Sequence, residues 1–397
     1  MTVFLLVLGL VLFIGLILVH EWGHFIAARK SGVVVEEYGV FFPPRLYKKR
    51  MKNGWDFTIN LLPLGGFVKL KGEHDSDVET GSFGAASLKA KSLIMAAGVI
   101  MNLAVAYVLF VVLALWGMPH LVDNQYVVKN DTHYVSHAKY TTTVGSVEQG
   151  SPAAKIGLKA DDAILALGPV GHLQPMTSDN DSQMPNLTKR YSGQIVQVRF
   201  RHGDQVVTKQ VKLRSTADIE KAAKAGKTIG RLGVSTYVDQ DGMTVVRSTW
   251  SAPIVAAGTM VQFTALTFEG LGHALWGLGG IVAGAATHNT TARQAAQTEA
   301  SNQVSGPIGV YFVFKYGAAL GLQFIVMVVA ILSLTLGIMN ILPIPALDGG
   351  RLWLMLITRA INKPLDAKRE ELINAVGFLV LIGLMVLISV VDVKRFF

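Results

Sequence analysis

Residues 2–30 read TVFLLVLGLVLFIGLILVHEWGHFIAARK, and this stretch decides the architecture of the chain. No charged residue occurs from Thr2 to Val19, and the basic pair Arg29-Lys30 closes the segment. A helix needs about 20 apolar residues to cross the hydrocarbon core of a bilayer. The stretch therefore predicts a membrane-spanning helix that carries ionisable side chains near one end.

Those side chains form the pattern His-Glu-x-x-His, written here as His20-Glu21-Trp22-Gly23-His24. In a helix His20 and His24 lie one turn apart on one face, so both imidazoles can bind a single metal ion. Glu21 can then accept a proton from a water molecule that the metal activates. Such a pair also arises by chance on soluble helices, but the apolar flanks here argue against a surface helix. A catalytic zinc takes three protein ligands, so the motif predicts a third ligand elsewhere.

The composition points to a membrane protein. Of 397 residues, 51% are hydrophobic and 16% are charged, and the mean hydropathy is +0.42. These values predict a polytopic α-helical membrane protein with a soluble insert. With no cysteine in the chain, histidine and carboxylate must hold any zinc. The net charge of +9 does not indicate nucleic acid, because Lys and Arg cluster beside the spans, where they contact anionic lipid at the cytoplasmic face.

Three further uncharged runs are long enough to span a bilayer: Ser92–Met118, Ala318–Leu342 and Leu372–Val391. Residues 29–91 hold eleven Lys and Arg, and the loop after the third span is also basic. By the positive-inside rule both loops are cytoplasmic. The N-terminus, residues 119–317 and the C-terminal tail then face outward.

Residues 125–237 are predicted to form a separate soluble domain. Ile195–Phe200 and Val206–Leu213 alternate apolar and polar residues and predict a β-hairpin. The stretch from Val144 to Leu167 resembles a PDZ domain of the protease-associated kind, and such domains bind peptide by adding it to a sheet edge. Asp161-Asp162 stands where Gly-Asp is usual. Peptide binding and a steric, size-filtering role therefore both stay open.

The third span ends in Asn340–Arg351, which reads NILPIPALDGGR. Pro343 and Pro345 lack amide donors and are predicted to break the helix. A broken helix at membrane depth is tolerated where it is buried or lines a wet cavity. The break delivers Asp348 near the cytoplasmic end of its span, the depth predicted for the two histidines, and this set of ligands suits zinc. The alternative, that Asp348 only caps the following helix, stays open.

A fifth apolar stretch, Trp250–Ala286, is interrupted by Glu269 and His273. We interpret it as a surface-lying or re-entrant helical segment, with two crossings as the open alternative. A single crossing is disfavoured, because it would place Asp348 on the side of the membrane opposite His20.

In this order and spacing the motifs resemble the site-2 protease family of intramembrane zinc metalloproteases, in particular its bacterial RseP-like branch with a PDZ domain. Gly98–Asn102 is similar to the Gly-x-x-x-Asn element of that family, Pro63–Lys69 to its re-entrant β-hairpin, and Ser305–Gly309 to the motif before its third span. Phe67 stands where tyrosine is frequent. The resemblance covers essentially the whole chain, which has room for one PDZ domain.

The resemblance implies that His20, His24 and Asp348 bind Zn²⁺ and that Glu21 is the catalytic base. It also implies candidates for substrate binding or for stabilising the oxyanion, namely Asn102, Asn340, Gly65, Gly66 and Phe67. Two alternatives stay open. The asparagines could only bridge helices, and the glycines could belong to an ordinary surface hairpin.

The predicted architecture is a polytopic α-helical membrane protein with four transmembrane helices, an inserted extracytoplasmic PDZ-like α+β domain and a re-entrant β-hairpin. In chain order we predict a first transmembrane helix at 1–30, a cytoplasmic loop with a membrane-associated hairpin at 31–91, a second transmembrane helix at 92–118, a PDZ-like domain at 119–240, a membrane-surface or re-entrant helical region at 241–317, a third transmembrane helix at 318–360, and a cytoplasmic loop with the fourth transmembrane helix at 361–397.

By resemblance, the substrates are single-span membrane proteins such as anti-sigma factors or signal-peptide remnants, cleaved within the membrane after a first extracytoplasmic cut. The implied location is the bacterial inner membrane. Two other functions stay open. One is a catalytically inactive PDZ scaffold, which would not need Glu21. The other is a zinc transporter, which would spread His and acidic residues over several spans.

Overall fold

The computed structural model describes residues 2–73, 77–136, 139–176, 183–203, 205–227, 229–241, 243–286, 306–361 and 366–396. The chain divides into two compact units. Residues 1–135 and 245–397 form the membrane unit, and residues 136–244 form the inserted unit. The inserted unit, Ser136–Thr244, covers most of the domain predicted at 119–240.

The helices are α1 Thr2–Lys30, α2 Leu88–Trp116, α3 Pro152–Lys155, α4 Gln183–Arg190, α5 Thr216–Lys224, α6 Ala252–Ala286, α7 Pro307–Leu320, α8 Leu322–Ile341, α9 Asp348–Ala360 and α10 Ala367–Phe396. The strands are β1 Val35–Arg50, β2 Asp56–Leu70, β3 Met118–Pro119, β4 His133–Ser136, β5 Lys139–Val147, β6 Ala163–Pro169, β7 Gln174–Pro175, β8 Ile195–His202, β9 Gln205–Lys212, β10 Val234–Asp241 and β11 Thr244–Arg247.

Five helices among the described residues are long and apolar enough to cross a bilayer. They contain the segments Thr2–Lys30, Leu88–Trp116, Ala252–Gly277, Leu322–Ile341 and Ala367–Val390. This agrees with a polytopic α-helical membrane protein. It adds one candidate, in α6, to the four spans predicted from the sequence, and the number of crossings stays a prediction.

Helix α6 corrects the re-entrant interpretation of Trp250–Ala286. Residues 252–286 form one uninterrupted helix, whereas a re-entrant segment must reverse direction. Thr259 Oγ1 of α6 donates to Met118 Sδ just beyond the end of α2, and Phe263 of α6 stacks on Phe110 of α2. Glu269 and His273 interrupt the apolar pattern without breaking the helix, because both residue types are tolerated within helices.

Helix α2 packs against α1, α6 and α8, so it is the central helix of the membrane unit. Its side chains Phe110 and Leu113 are fully buried. Helices in lipid pack closely where small residues let their backbones approach. Gly23 of α1 is such a residue, since an added β-carbon would lie 2.6 Å from the Ala97 carbonyl oxygen of α2. This close approach brings the His-Glu-x-x-His turn against α2.

Strands β1 and β2 fold back on each other to make a four-armed antiparallel sheet, which we call the hairpin sheet. Residues 35–40 pair on one side with 66–70 and on the other with 56–59, while 45–50 pair with 56–60. The arm at 66–70 is therefore an edge, with no further strand beside it among the described residues. Tyr38 holds the sheet to α1 by donating its hydroxyl hydrogen to the Leu18 carbonyl at 2.8 Å.

Asp131 anchors the start of α6 to the loop after α2. Its carboxylate accepts hydrogen bonds from the backbone N–H groups of Thr249 and Ser251, at 2.8 and 3.0 Å, and from both hydroxyls. Burial raises the pKa of this carboxyl, but these hydrogen bonds outweigh burial and hold the pKa well below its ordinary value. The carboxylate is thus favoured in the folded state.

We expect Asp131→Asn to lower the melting temperature at pH 7 by a few degrees, because a charged acceptor of four hydrogen bonds is lost. The stabilisation is complete above the ordinary pKa of about 4 and is lost as the pH falls from there through the lowered pKa. The difference between the variant and the wild type should therefore shrink at pH 3. Asp123→Asn, an exposed change in the same loop, is the control and should behave as wild type at both pH values.

The inserted unit is an antiparallel sheet in the order β10-β5-β6-β8-β9, with β7 paired to β6 and helices α3 to α5 in the connections. Strands β8 and β9 pair from Ile195–Lys212 to His202–Gln205, which confirms the predicted hairpin. The core includes the fully buried Ile164 and Leu167. The resemblance to a PDZ domain stays a prediction.

Candidate metal site

Helix α1 presents His20 and His24 on one face, as the helical spacing predicts. Their Nε2 atoms lie 3.2 Å apart. Asp348, the first residue of α9, brings its Oδ2 to 2.9 Å from His20 Nε2 and 3.1 Å from His24 Nε2. The three predicted ligand residues therefore meet at one point, although His20 and Asp348 are 328 positions apart in the chain.

The chain between α8 and α9 delivers Asp348 to this point. Helix α8 ends at Ile341, just before Pro343, and Ala346 adopts a left-handed conformation with φ of 73°. The N-cap of α9 is Leu347, and Asp348 directs its carboxylate at the histidines. The alternative in which Asp348 is only the helix cap does not hold.

The donor set fits a zinc ion. With zinc–ligand bonds of 2.0–2.2 Å, the ligand atoms of a tetrahedral site lie roughly 3.4 Å apart. The three distances here, 2.9 to 3.2 Å, are only slightly shorter. Gly98 of α2 leaves the space that the ion needs, since an added β-carbon would lie 2.4 Å from His24 Nε2 and 2.6 Å from His20 Nε2.

The second nitrogen of each imidazole is also held. His24 Nδ1 lies 2.7 Å from the Ile94 carbonyl oxygen, so it is the protonated nitrogen and leaves the Nε2 lone pair for a metal.

At His20 the neighbour is the side-chain amide of Asn102, whose Nδ2 lies 3.2 Å from His20 Nδ1. The Oδ1 of this amide is buried without a partner among the described residues. The two ends of this amide have the same shape. A metal-binding His20 needs an acceptor at Nδ1, which Asn102 provides with its oxygen turned inward.

Glu21 lies beside the edge arm of the hairpin sheet. A β-carbon added at Gly66 would lie 3.1 Å from Glu21 Cγ, so the glycine lets the backbone pass close to the carboxylate. A cavity of about 260 Å³ opens here, and Glu21, His24 and Asp348 line it together with Gly66 and Phe67. An extended peptide at this edge would lie next to both the ligand cluster and Glu21.

The other predicted site residues are less central. Gly65 packs against Phe42 and does not line the cavity. The ring of Phe67 packs over Gly39, and Phe67 also lines the cavity. Asn340 lies half-buried in the last turn of α8, with no hydrogen bond to the ligand cluster among the described residues. Asn102 contacts a ligand ring, and its place is behind His20.

Sequence reasoning assigned no role to Gly98 or to the Ile94 carbonyl. The Gly-x-x-x-Asn spacing was a signal for Gly98, because it places glycine and Asn102 one turn apart on one face of α2. Backbone carbonyls have no sequence signal. The sequence likewise gave no indication that Tyr38 would hold the hairpin sheet to α1.

Comparison with known proteins agrees with this geometry. The sequence pattern of Peptidase family M50 matches residues 8–384. A Clostridium perfringens protein named a zinc metalloprotease is 29% identical over 390 residues, covering 98% of both chains. Zinc metalloprotease RasP of Geobacillus kaustophilus is 23% identical over 469 residues, covering 98% of this chain and 97% of its own. An Enterococcus faecalis protein named as the protease Eep is 24% identical over 481 residues, covering 99% and 98%. The chain is thus similar over its whole length to zinc metalloproteases.

Proposed function

This chain is a zinc metalloprotease of Peptidase family M50, the site-2 protease family, and we propose that it cleaves peptide bonds within the membrane-spanning segments of its substrates. The observation that carries the proposal is the meeting of Asp348 with His20 and His24 of the apolar helix α1, beside Glu21 and the edge arm of the hairpin sheet. Proteolysis needs water and a base, and here the base lies within a segment long enough to span the bilayer.

In this proposal His20, His24 and Asp348 hold the zinc ion, and Glu21 is the general base. When bound, zinc supplies a Lewis acid that makes a water molecule acidic enough to lose a proton near neutral pH. Glu21 accepts that proton as the water attacks the substrate carbonyl, and returns it to the leaving nitrogen. Glu21 lines the cavity, so one carboxylate can both accept the proton of the water and return it to the leaving nitrogen.

Asn102 positions His20 in this proposal. With its oxygen turned toward His20 Nδ1, its NH₂ group takes the place of the oxygen that has no protein partner. Asn102 lies behind His20 and does not line the cavity beside Glu21, so its place supports positioning of the ring and not donation to the oxyanion. Asn340 does not line that cavity either, and its donor role stays a prediction.

Asn102→Leu is expected to weaken zinc binding by about 10- to 100-fold, because losing an outer-shell partner frees the ligand ring. Asn340→Leu removes an amide from the neighbouring helix and should leave zinc affinity near that of wild type. Competition with a fluorescent chelator measures both. Equal affinities in the two variants would contradict the positioning role of Asn102.

The substrate binds in this proposal as a strand on the edge arm at 66–70. A helical segment has its backbone hydrogen bonds internally satisfied and must unwind before cleavage. Its freed N–H and C=O groups then need partners, which a sheet edge provides. Gly66 and Phe67 begin this arm and Gly65 directly precedes it, and the close passage of Gly66 by Glu21 brings the bound strand to the base.

The ligand site lies toward the cytoplasmic side of a bacterial inner membrane in this proposal, because the basic residues of 29–91 favour that side. The inserted unit, PDZ-like by sequence, then faces outward and either binds peptide or excludes bulky substrates. The substrates are single-span proteins already cut outside, such as anti-sigma factors or signal-peptide remnants.

Reconstitution tests the proposal. The full chain is placed in vesicles with a single-span substrate tagged at both ends, and the masses of the fragments locate the cut. A cut inside the spanning segment, lost with a zinc chelator and restored by zinc, is expected. Cuts only outside that segment would overturn the intramembrane assignment. Zinc flux without cleavage would favour a transporter, and substrate capture without either would favour a PDZ scaffold.

A further inference from the structure

A second and larger cavity, of about 810 Å³, lies at the end of α1. Its wall is aromatic: Trp22 stacks on Phe25 with ring centroids 4.8 Å apart, and Trp55 meets Phe25 edge-on at 4.8 Å. Trp22 is 41% exposed, although its neighbours Glu21 and Gly23 belong to the metal-binding turn. No described residue lines both this cavity and the one beside Glu21.

The rim of this cavity is basic. Arg29, Lys30, Lys49, Arg50 and Lys52 line it, and Asn53 is its other polar side chain. Arg50 is paired with Asp56 at 3.1 Å. Lys30, Lys49 and Lys52 form no ion pair with any residue that the structure describes. An aromatic wall under a rim with three lysines that form no ion pair among the described residues matches a ligand that is apolar at one end and anionic at the other.

We propose that this cavity is a binding site for one anionic glycerophospholipid, with its phosphate at the lysines and an acyl chain along Trp22. The spacing fits: Trp22 and Lys30 are separated by about 12 Å of helix, enough to cross a headgroup layer of roughly 6 Å and enter the hydrocarbon. The volume lies within the range of about 300–1,000 Å³ that ligand pockets occupy.

The site lies behind the catalytic turn. At 100° per residue, Trp22 is on the face of α1 opposite His20 and His24. The bound lipid fills the space between this face and the turn at 49–55 of the hairpin sheet, whose far edge passes Glu21. It therefore braces α1 against the sheet that the substrate would join.

Lipid binding can be measured without proteolysis, so its outcome is separate from that of the proposed function. The full chain carrying Glu21→Gln, in neutral detergent, is titrated with dioleoylphosphatidylglycerol or with dioleoylphosphatidylcholine, and bound lipid is counted by native mass spectrometry. The expected result is one tightly bound phosphatidylglycerol and a much weaker phosphatidylcholine. Each lysine near a phosphate is worth about fivefold in affinity, so Lys49→Gln with Lys52→Gln should lose roughly 25-fold.

The matched control is Lys89→Gln with Lys368→Gln, which removes the same charge from exposed positions outside the cavity and should keep the binding. Replacing Lys49 and Lys52 by arginine should keep it too, because the charge remains. Wild-type affinity in the glutamine pair at 49 and 52 would overturn the proposal, as would equal losses in both glutamine pairs. Displacement of the lipid by a hexaglutamate peptide would overturn it in favour of an acidic protein segment.

Discussion

Glu21→Gln is expected to lower kcat for cleavage of a reconstituted substrate by a factor of about 10³ or more. Glutamine has nearly the shape of glutamate but cannot accept the proton of the attacking water or return it to the leaving nitrogen. Because Glu21 is not one of the three clustered ligand residues, the variant should bind zinc as wild type does. A loss confined to kcat, with zinc content and KM retained, is the signature of a missing base.

The measurement needs zinc content and cleavage rates on the same preparation. Glu79→Gln is a suitable control, because Glu79 is an exposed carboxylate of the membrane unit that pairs only with Lys71 among the described residues. It should cleave at the wild-type rate. Full activity in Glu21→Gln would remove Glu21 from the mechanism and require another base. Loss of zinc together with activity would instead make Glu21 a structural part of the site.

Gly98→Ala is expected to reduce zinc affinity by at least about 100-fold and to abolish cleavage with it. The new methyl group would lie 2.4 Å from His24 Nε2 and 2.5 Å from His20 Cε1, far inside van der Waals contact. The imidazoles can avoid it only by moving, and ligand atoms displaced by a few tenths of an ångström no longer suit one ion. Overpacking also costs about 1–3 kcal/mol of stability.

Gly15→Ala is the matched control for this change. Gly15 also lies within an apolar helix, but an added β-carbon there meets nothing within 4 Å. Alanine is the better helix former, so this variant should be at least as stable as wild type and retain zinc. Zinc titration and melting temperature compare the two variants. Tight zinc binding in Gly98→Ala would show that the ion does not occupy the space beside α2.

The sequence alone predicted the membrane class of the chain and the three residues that cluster. Both depend on local rules. Long uncharged runs predict spanning helices because unpaired charges are costly in hydrocarbon, and the four-residue spacing of His20 and His24 places them on one helix face. Asp348 could be found because two prolines must end a helix and the charge pattern sets the depth of the break.

The segment at 250–286 shows where such rules stop. Its glutamate and histidine favoured a surface-lying or re-entrant helical segment, and the structure shows one continuous helix, α6, that packs on α2 through Phe263 and Phe110. Packing partners compensate for an imperfect pattern, and Phe110 lies about 150 residues away from Phe263 in the chain. The four-armed hairpin sheet was likewise not predicted, because residues 37–40 pair with two arms at once and the alternation of one strand does not identify its partners.

The details of the site depended on the tertiary structure. The residue types that can bind zinc are visible in the sequence, and His20, His24 and Asp348 could be named from it. The space for the ion beside Gly98 and the hydrogen bond from His24 to the Ile94 carbonyl exist only when α2 lies against α1. Both features arise from the contact between the two helices. A backbone carbonyl and an empty volume involve no side chain, so no residue type in the sequence indicates them.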